Sequence, residues 1–179
     1  MARDLHLLVQ DISMTIQSIL ALTDFSSHAE NSLERAARIA SNHQARLVLM
    51  YSAEEPNAKL VDPLTRLAQR ARQLARRYNI QVTALTRSGE VPADVVAQAH
   101  HADLLVLDHR RHRHWSRFWR NTVLDHLLQR CHCPILVVKT TPSQPYTRVL
   151  VSVNLNTAAH ALVRYANGFE ATAELELFH

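Results

Sequence analysis

Short runs of aliphatic residues alternate along the chain with segments in which apolar residues recur at helical spacing. Five aliphatic runs are predicted to be β-strands: residues 18–23, 45–51, 80–86, 103–107 and 134–138. Because several of these runs carry almost no polar residue, they suit parallel strands that are covered on both faces. The alternation predicts an α/β fold, with an open parallel five-stranded sheet and helices on both faces.

Polar residues mark where two of the helices begin and end. Ser27 and Glu30 have the spacing of a capping box, which predicts the start of the first helix. Asp62 followed by Pro63 predicts the start of the second helix, because aspartate caps helices and proline fits the first helical position. Asn79 predicts the end of that second helix.

The chain divides into four predicted segments. Apolar residues at helical spacing over 4–17 predict an N-terminal helix or tail over residues 1–17, which docks on its own domain or binds a partner. Residues 18–140 form the main predicted domain, and two prolines within 141–146 predict a linker. From 147 to 179 the pattern restarts as a weak internal repeat, a β-α-β fragment of a second copy.

The composition narrows the class of protein. Two cysteines are too few for a disulfide framework and indicate a reducing, cytoplasmic location. No apolar run is long enough to cross a bilayer, so we expect no membrane partner. The net charge is +4 and the basic residues are nearly all arginine, whose planar fork matches phosphate and carboxylate groups. With no serine nucleophile beside a base and no paired carboxylates, we expect that the protein is not an enzyme.

A basic and aromatic stretch over residues 109–120 follows the fourth predicted strand. It interleaves arginine and histidine with tryptophan and phenylalanine. Surfaces that neutralise phosphates and stack on bases have this composition, so one interpretation is contact with an anion or a nucleic acid. The other interpretation is that the aromatic rings pack on the domain or on a partner. The candidate contacts are Arg110, Arg113, Trp115 and Arg117.

Two groups of histidine and cysteine residues raise the question of a metal, and we expect neither to bind one. His109, His112 and His114 share no carboxylate or cysteine at ligand spacing. The stretch 131–133 (CHC) would need further ligands to form a zinc site, so a structural thiol is the better interpretation of Cys133.

Four stretches together resemble the universal stress protein (UspA-like) family. They are residues 19–26 (ILALTDFS), 88–93 (SGEVPA), 102–107 (ADLLVL) and 133–138 (CPILVV). Residues 148–179 are similar to the opening third of a second copy, as in the tandem members of the family. The resemblance implies the strand order 3-2-1-4-5 and a regulatory role under stress. It also implies pairing through the last strand of the first domain, either in a homodimer or with another domain.

Nucleotide-binding members of that family carry a loop G-x-x-G-x9-G-[ST] after the fourth strand, where glycines let backbone amides approach phosphates. The matching positions here read Asp108, Arg111 and Asn121, followed by Thr122. Asp24 matches the first-strand aspartate that contacts the base in binding members, and its other interpretation is a cap of the following turn. The resemblance therefore implies a degenerate nucleotide cleft. We expect no cofactor, with ATP binding as the alternative.

Overall fold

The structure, a computed structural model of the chain, describes residues 15–53, 60–86, 92–109, 123–140, 144–152, 158–170 and 172–178. The chain divides into two compact units, one of which is Gln17–Pro142 while the other contains Ser143–His179. The predicted N-terminal helix or tail lies outside the described residues apart from 15–17, which are not helical. The predicted domain and linker boundaries stay predictions.

The first unit is built on an open sheet of five parallel strands. Their order is β3-β2-β1-β4-β5, and all four neighbouring pairs are parallel, which confirms the predicted fold class and strand order. Every residue of the central strand β1 is buried, in agreement with its unbroken apolar run. The strands are β1 (Ser18–Thr23), β2 (Arg46–Tyr51), β3 (Val82–Ala84), β4 (Leu104–Asp108) and β5 (Ile135–Val138).

Four helices cover the two faces of this sheet. They are α1 (Ser27–His43), α2 (Pro63–Tyr78), α3 (Pro92–Ala99) and α4 (Val123–Arg130). Helices α1 and α2 contact each other on one face, and α3 and α4 contact each other on the opposite face. Since side chains alternate along a strand, Leu20 and Leu105 join Val95 and Leu127 in the core under α3 and α4. Between these helices, the central strands β1 and β4 are buried along their whole length.

The start of α1 differs by one residue from the predicted capping box, so that prediction is wrong. The N-cap is Ser26, whose Oγ accepts a hydrogen bond from the backbone N–H of Ala29 at 3.2 Å. Ser26 has extended backbone angles, as an N-cap requires, whereas Ser27 is already helical. The physical reason is the turn before the helix, in which a side-chain oxygen of Asp24 holds the backbone N–H of Ser26.

Both ends of α2 agree with the sequence prediction. The Asp62 carboxylate accepts a hydrogen bond from the backbone N–H of Thr65 at 3.0 Å, and Pro63 occupies the first helical position. Asn79 ends the helix in the left-handed conformation with φ of 52°, and its N–H bonds to the carbonyl of Ala75. Local sequence therefore sets the length of α2, and its apolar residues set which side packs on the sheet.

The second unit contains a parallel strand pair and one helix. Strand β6 (Arg148–Ser152), helix α5 (Ala158–Phe169) and strand β7 (Glu174–Phe178) form the predicted β-α-β arrangement. The side chains of Leu150 and Phe178 are more than half exposed, so this small sheet covers its apolar residues incompletely. Across the described part of both units, no helix is long and apolar enough to span a bilayer.

Candidate functional site

The carboxyl ends of β1 and β4 meet at the centre of the sheet, where open parallel sheets bind ligands. Ala21 pairs with Val106, so Thr23 and Asp108, each two residues further along, reach the same level of the sheet. Asp24 follows Thr23 directly. The structure thus brings Asp24 and Asp108, the two predicted cleft residues that it describes, to one edge.

Asp24 has a clear local role in the turn that leads from β1 into α1. Its Oδ1 accepts a hydrogen bond from the backbone N–H of Ser26 at 2.9 Å, and Thr23 Oγ1 accepts one from Phe25 at 3.0 Å. These two bonds hold Phe25 at a positive φ of 63°, a costly conformation for a bulky residue. Of the two interpretations of Asp24, the geometry supports the cap of the turn. Contact with a ligand stays a prediction.

Three side chains that the sequence analysis did not identify lie together beside this turn. The rings of Phe25 and Tyr51 stack with their centroids 5.6 Å apart and an angle of 21° between their planes. The guanidinium carbon of Arg66 lies 4.6 Å from the centre of the Phe25 ring, within range of a cation–π interaction. We call this group the Phe25 stack. The sequence does contain one indication of this group, because Phe25 and Tyr51 lie where two adjacent parallel strands end.

Asp108 ends β4 as a buried residue, with only 5% of its surface exposed. It pairs with Val138 of β5, and the next residue, His109, donates its backbone N–H to the Val138 carbonyl at 3.0 Å. The chain is therefore held in strand geometry up to the position at which the family motif has its first glycine. That the Asp108 side chain crowds and repels a phosphate at this place stays a prediction.

The other predicted contacts lie outside the described residues. They are Arg111, Asn121 and Thr122 of the predicted cleft and Arg110, Arg113, Trp115 and Arg117 of the basic stretch. These assignments stay predictions.

The two cysteines are poorly suited to nucleophilic or metal chemistry. Burial raises the pKa of the Cys133 thiol to about 11, with the nearby Cys131 adding to the effect. Burial also raises the pKa of Cys131. Because the thiolate is the reactive and metal-binding form, both residues are expected to stay protonated near neutral pH. In the described part of the chain, no group of three or more histidine, cysteine or acidic residues is arranged to hold a metal ion.

Comparison with known proteins decides the family. The sequence profile of the Universal stress protein family matches residues 15–139, well over half of the chain. The chain belongs to the universal stress protein family. This match covers the sheet, its four helices and the carboxyl edge described above, so the predicted family is confirmed. No curated protein sequence matches the chain.

Solved universal stress proteins share the fold. UspA from Lactobacillus plantarum is 20% identical, with a TM-score of 0.51 over 68% of this chain and 97% of its own. A universal stress protein in complex with cAMP is 20% identical, with a TM-score of 0.53 over 72% of this chain and 99% of its own. One from Archaeoglobus fulgidus is 14% identical, with a TM-score of 0.69 over 89% of this chain. The match covers 64% of the Archaeoglobus protein, so this chain spans less than two thirds of its length.

Proposed function

We propose that the protein is a binding and regulatory member of the stress response, without catalytic activity, and that its nucleotide cleft is degenerate. Membership of the universal stress protein family supports the stress-response role. The raised pKa of both cysteines argues against a thiol nucleophile. The observation that carries the degenerate cleft is the buried carboxylate of Asp108 at the end of β4.

The size of the effect follows from Coulomb's law. A phosphate about 5 Å from the Asp108 carboxylate is repelled by about 3 kcal/mol at an effective dielectric constant near 20. In bulk water the same repulsion falls below about 1 kcal/mol. Because 1.4 kcal/mol corresponds to a tenfold change in affinity, the carboxylate alone weakens phosphate binding by roughly fourfold to a hundredfold.

A second candidate function is the binding of a nucleotide despite the altered motif. One observation favours it: a protein of the same fold was solved with cAMP. A nucleotide with fewer negative charges would be repelled less by Asp108. This candidate predicts tighter binding of cAMP than of ATP.

Calorimetric titration with Mg·ATP and with cAMP distinguishes the two candidates. A degenerate cleft predicts no saturable binding of either nucleotide to the wild-type protein, and a gain of ATP affinity in Asp108→Gly. Asp108→Asn removes the charge and keeps the size, so it separates repulsion from crowding. Asp94→Asn on the exposed first turn of α3 is the matched control for charge removal. Tight one-to-one ATP binding by the wild-type protein, unchanged in Asp108→Gly, contradicts the proposal.

We further propose that two copies pair through β5, as the sequence analysis predicts. Strand β5 ends the order of the sheet, and Ile135, Leu136 and Val137 are only partly buried. An apolar edge strand has unpaired backbone groups that a second strand can satisfy. Light scattering at tens of micromolar protein is expected to give the mass of a dimer, and Leu136→Lys the mass of a monomer. A monomeric wild-type protein contradicts this pairing. The cytoplasmic location, the tandem organisation and nucleic-acid contact through the basic stretch stay predictions.

A further inference from the structure

A groove of about 400 Å³ lies within the first unit, at the edge of the sheet opposite to the candidate cleft. It begins where β1 and β2 start, at Ser18 and Arg46, and runs beneath the end of α3. Its floor is apolar and is formed by Leu20, Val48, Leu85 and Ala102. Its volume falls within the range of pockets that hold small organic ligands.

Helix α3, which lies over this face of the sheet, is short, with eight residues, and ends at Ala99. The floor of the groove is covered least toward β3, the edge strand of the sheet. Leu20 is fully buried, whereas Val48 and Leu85 on the same floor are only partly buried. Apolar surface left open in this way gains free energy when an apolar group covers it, by about 25 cal/mol for each square ångström.

The rim of the groove carries positive charge. Arg46 lines the opening, and its Nε donates a hydrogen bond to the buried Oγ of Ser18 at 3.0 Å. This bond orients the guanidinium and does not involve its two terminal nitrogens, which form the fork that matches a carboxylate. His101 also lines the rim, and Gln98 adds a neutral polar group.

Among the residues that the structure describes, Asp103 is an acidic neighbour of this rim, and backbone hydrogen bonds hold its carboxylate in place. Asp103 Oδ2 accepts hydrogen bonds from the backbone N–H groups of Gln17 and Ser18, both at 2.9 Å. Hydrogen bonds to a carboxylate stabilise its negative charge locally, so Asp103 serves to fix the start of β1. Arg46 supplies a cationic side chain that lines the opening.

We propose that this groove binds a small amphipathic monocarboxylate with an unbranched aliphatic chain. The chain would lie on Val48, Leu85 and Ala102, and the carboxylate would bind the Arg46 guanidinium. A nucleotide is too polar for this floor, and a neutral hydrocarbon would leave the Arg46 fork unused. The proposal is independent of the proposed function, because neither Asp24 nor Asp108, the cleft residues that the structure describes, lines the groove.

Titration of the full-length ¹⁵N-labelled protein with decanoate, below its micelle concentration, tests the proposal. Saturable shifts are expected at the amides of Leu20, Val48, Leu85 and Ala102. Decanol, which lacks the charge, and butyrate, which lacks most of the chain, are expected to bind at least about tenfold more weakly. Absence of saturable decanoate binding, or shifts centred on Phe25 and Asp108, overturns the assignment. Equal binding of decanol overturns the role of Arg46.

Two variants and one control locate the site. Arg46→Ala is expected to weaken decanoate binding about tenfold, because one charge-assisted interaction is lost. Leu85→Trp changes a partly buried position after β3 and leaves Arg46 in place. Its larger side chain is expected to fill the groove and abolish decanoate binding. Arg72→Ala is the matched control, since Arg72 is exposed on α2, which packs on the opposite face of the sheet. A loss in Arg72→Ala as large as that in Arg46→Ala overturns the proposal, as does full binding by a folded Leu85→Trp protein.

Discussion

Replacement of Glu34 by alanine is expected to cost more stability than loss of the neighbouring carboxylate of Glu30, which also contacts α2. Glu34 lies on α1, and its carboxylate accepts hydrogen bonds from the Tyr78 hydroxyl and from Arg70 Nη2, the latter at 2.8 Å, both on α2. Arg77 Nη1 donates a third bond at 3.1 Å. The side chains of Glu34 and Arg70 are about one fifth exposed, whereas Arg77 is 62% exposed.

Exposure decides how much each bond contributes. The two partly buried bonds to a charged group are worth about 1–1.5 kcal/mol each, and the exposed Arg77 pair contributes well under about 1 kcal/mol. We therefore expect Glu34→Ala to lower the free energy of unfolding by about 2–3 kcal/mol. Glu30→Ala is the matched control. Glu30 lies on the same helix with its carboxylate 2.8 Å from Arg70 Nε, but its side chain is one third exposed, so its loss should cost less than about 1 kcal/mol.

The Glu34 effect should depend on pH in a defined direction. Burial by itself raises the pKa of Glu34, but hydrogen bonds from Tyr78 and Arg70 and the charge of Arg77 outweigh it and lower the pKa below its ordinary value of 4.5. A carboxylate with a lowered folded-state pKa stabilises fully above about pH 4.5 and loses this effect as the pH falls through the folded value. The difference between the wild-type protein and Glu34→Gln should therefore be complete at pH 7 and shrink below about pH 4.5.

At high pH the hydrogen bond between Glu34 and Tyr78 weakens because Tyr78 loses its proton. Burial and the hydrogen bond to Glu34 raise the pKa of Tyr78 above its ordinary value of 10. Its contribution is therefore present below about pH 10 and is lost as the pH rises through the raised value. Urea unfolding followed by circular dichroism, from acid to alkaline pH, measures both limits. Equal losses in Glu34→Ala and Glu30→Ala, or a Glu34→Gln penalty that does not change with pH, would refute the reasoning.

Three further predictions concern other parts of the chain. Gln44 ends α1 with φ of 54°, a left-handed conformation that glycine adopts without strain. Gln44→Gly should therefore raise the free energy of unfolding by about 0.5–1 kcal/mol in the same urea assay. A loss of stability would contradict this. Burial raises the pKa of Cys133 to about 11. Iodoacetamide at pH 8 should therefore alkylate this thiol far more slowly in the folded protein than in urea, as measured by mass spectrometry. Equal alkylation rates would exclude protection by burial. A peptide of residues 144–179 should lack a cooperative thermal transition, because two strands and one helix bury too little apolar surface; a sharp melting curve would disprove it.

The sequence predicted the sheet well because its strands are determined mainly by their own apolar runs. Strand β4 was expected over 103–107 and is observed at Leu104–Asp108. Strand β3 was expected over 80–86 but spans only Val82–Ala84, because an edge strand continues only as far as its single neighbour pairs with it. Strand limits therefore depend on hydrogen bonds to neighbours that a local pattern does not contain.

The candidate site could be predicted only in part, for a related reason. Asp24 and Asp108 follow from the rule that parallel strands end at a common edge. Prediction of the Phe25 stack requires two further facts, the left-handed turn at Phe25 and the placement of Arg66 by the packing of α2. The first is a local turn that strand and helix patterns do not describe. The second is a tertiary contact, which local patterns do not contain.

The central position of β1 has a consequence for synthesis of the chain. Strand β1 leaves the ribosome well before its partner β4, and the bond from Ser18 N–H to Asp103 joins residues 85 positions apart. At about 5–20 residues per second, translation needs roughly 4–17 seconds to cover that distance. During this interval β1 has β2 as a partner on one edge, while its other edge and the apolar face later covered by α3 and α4 have none. The nascent chain thus offers a chaperone a defined binding window, which closes once β4 has emerged and paired.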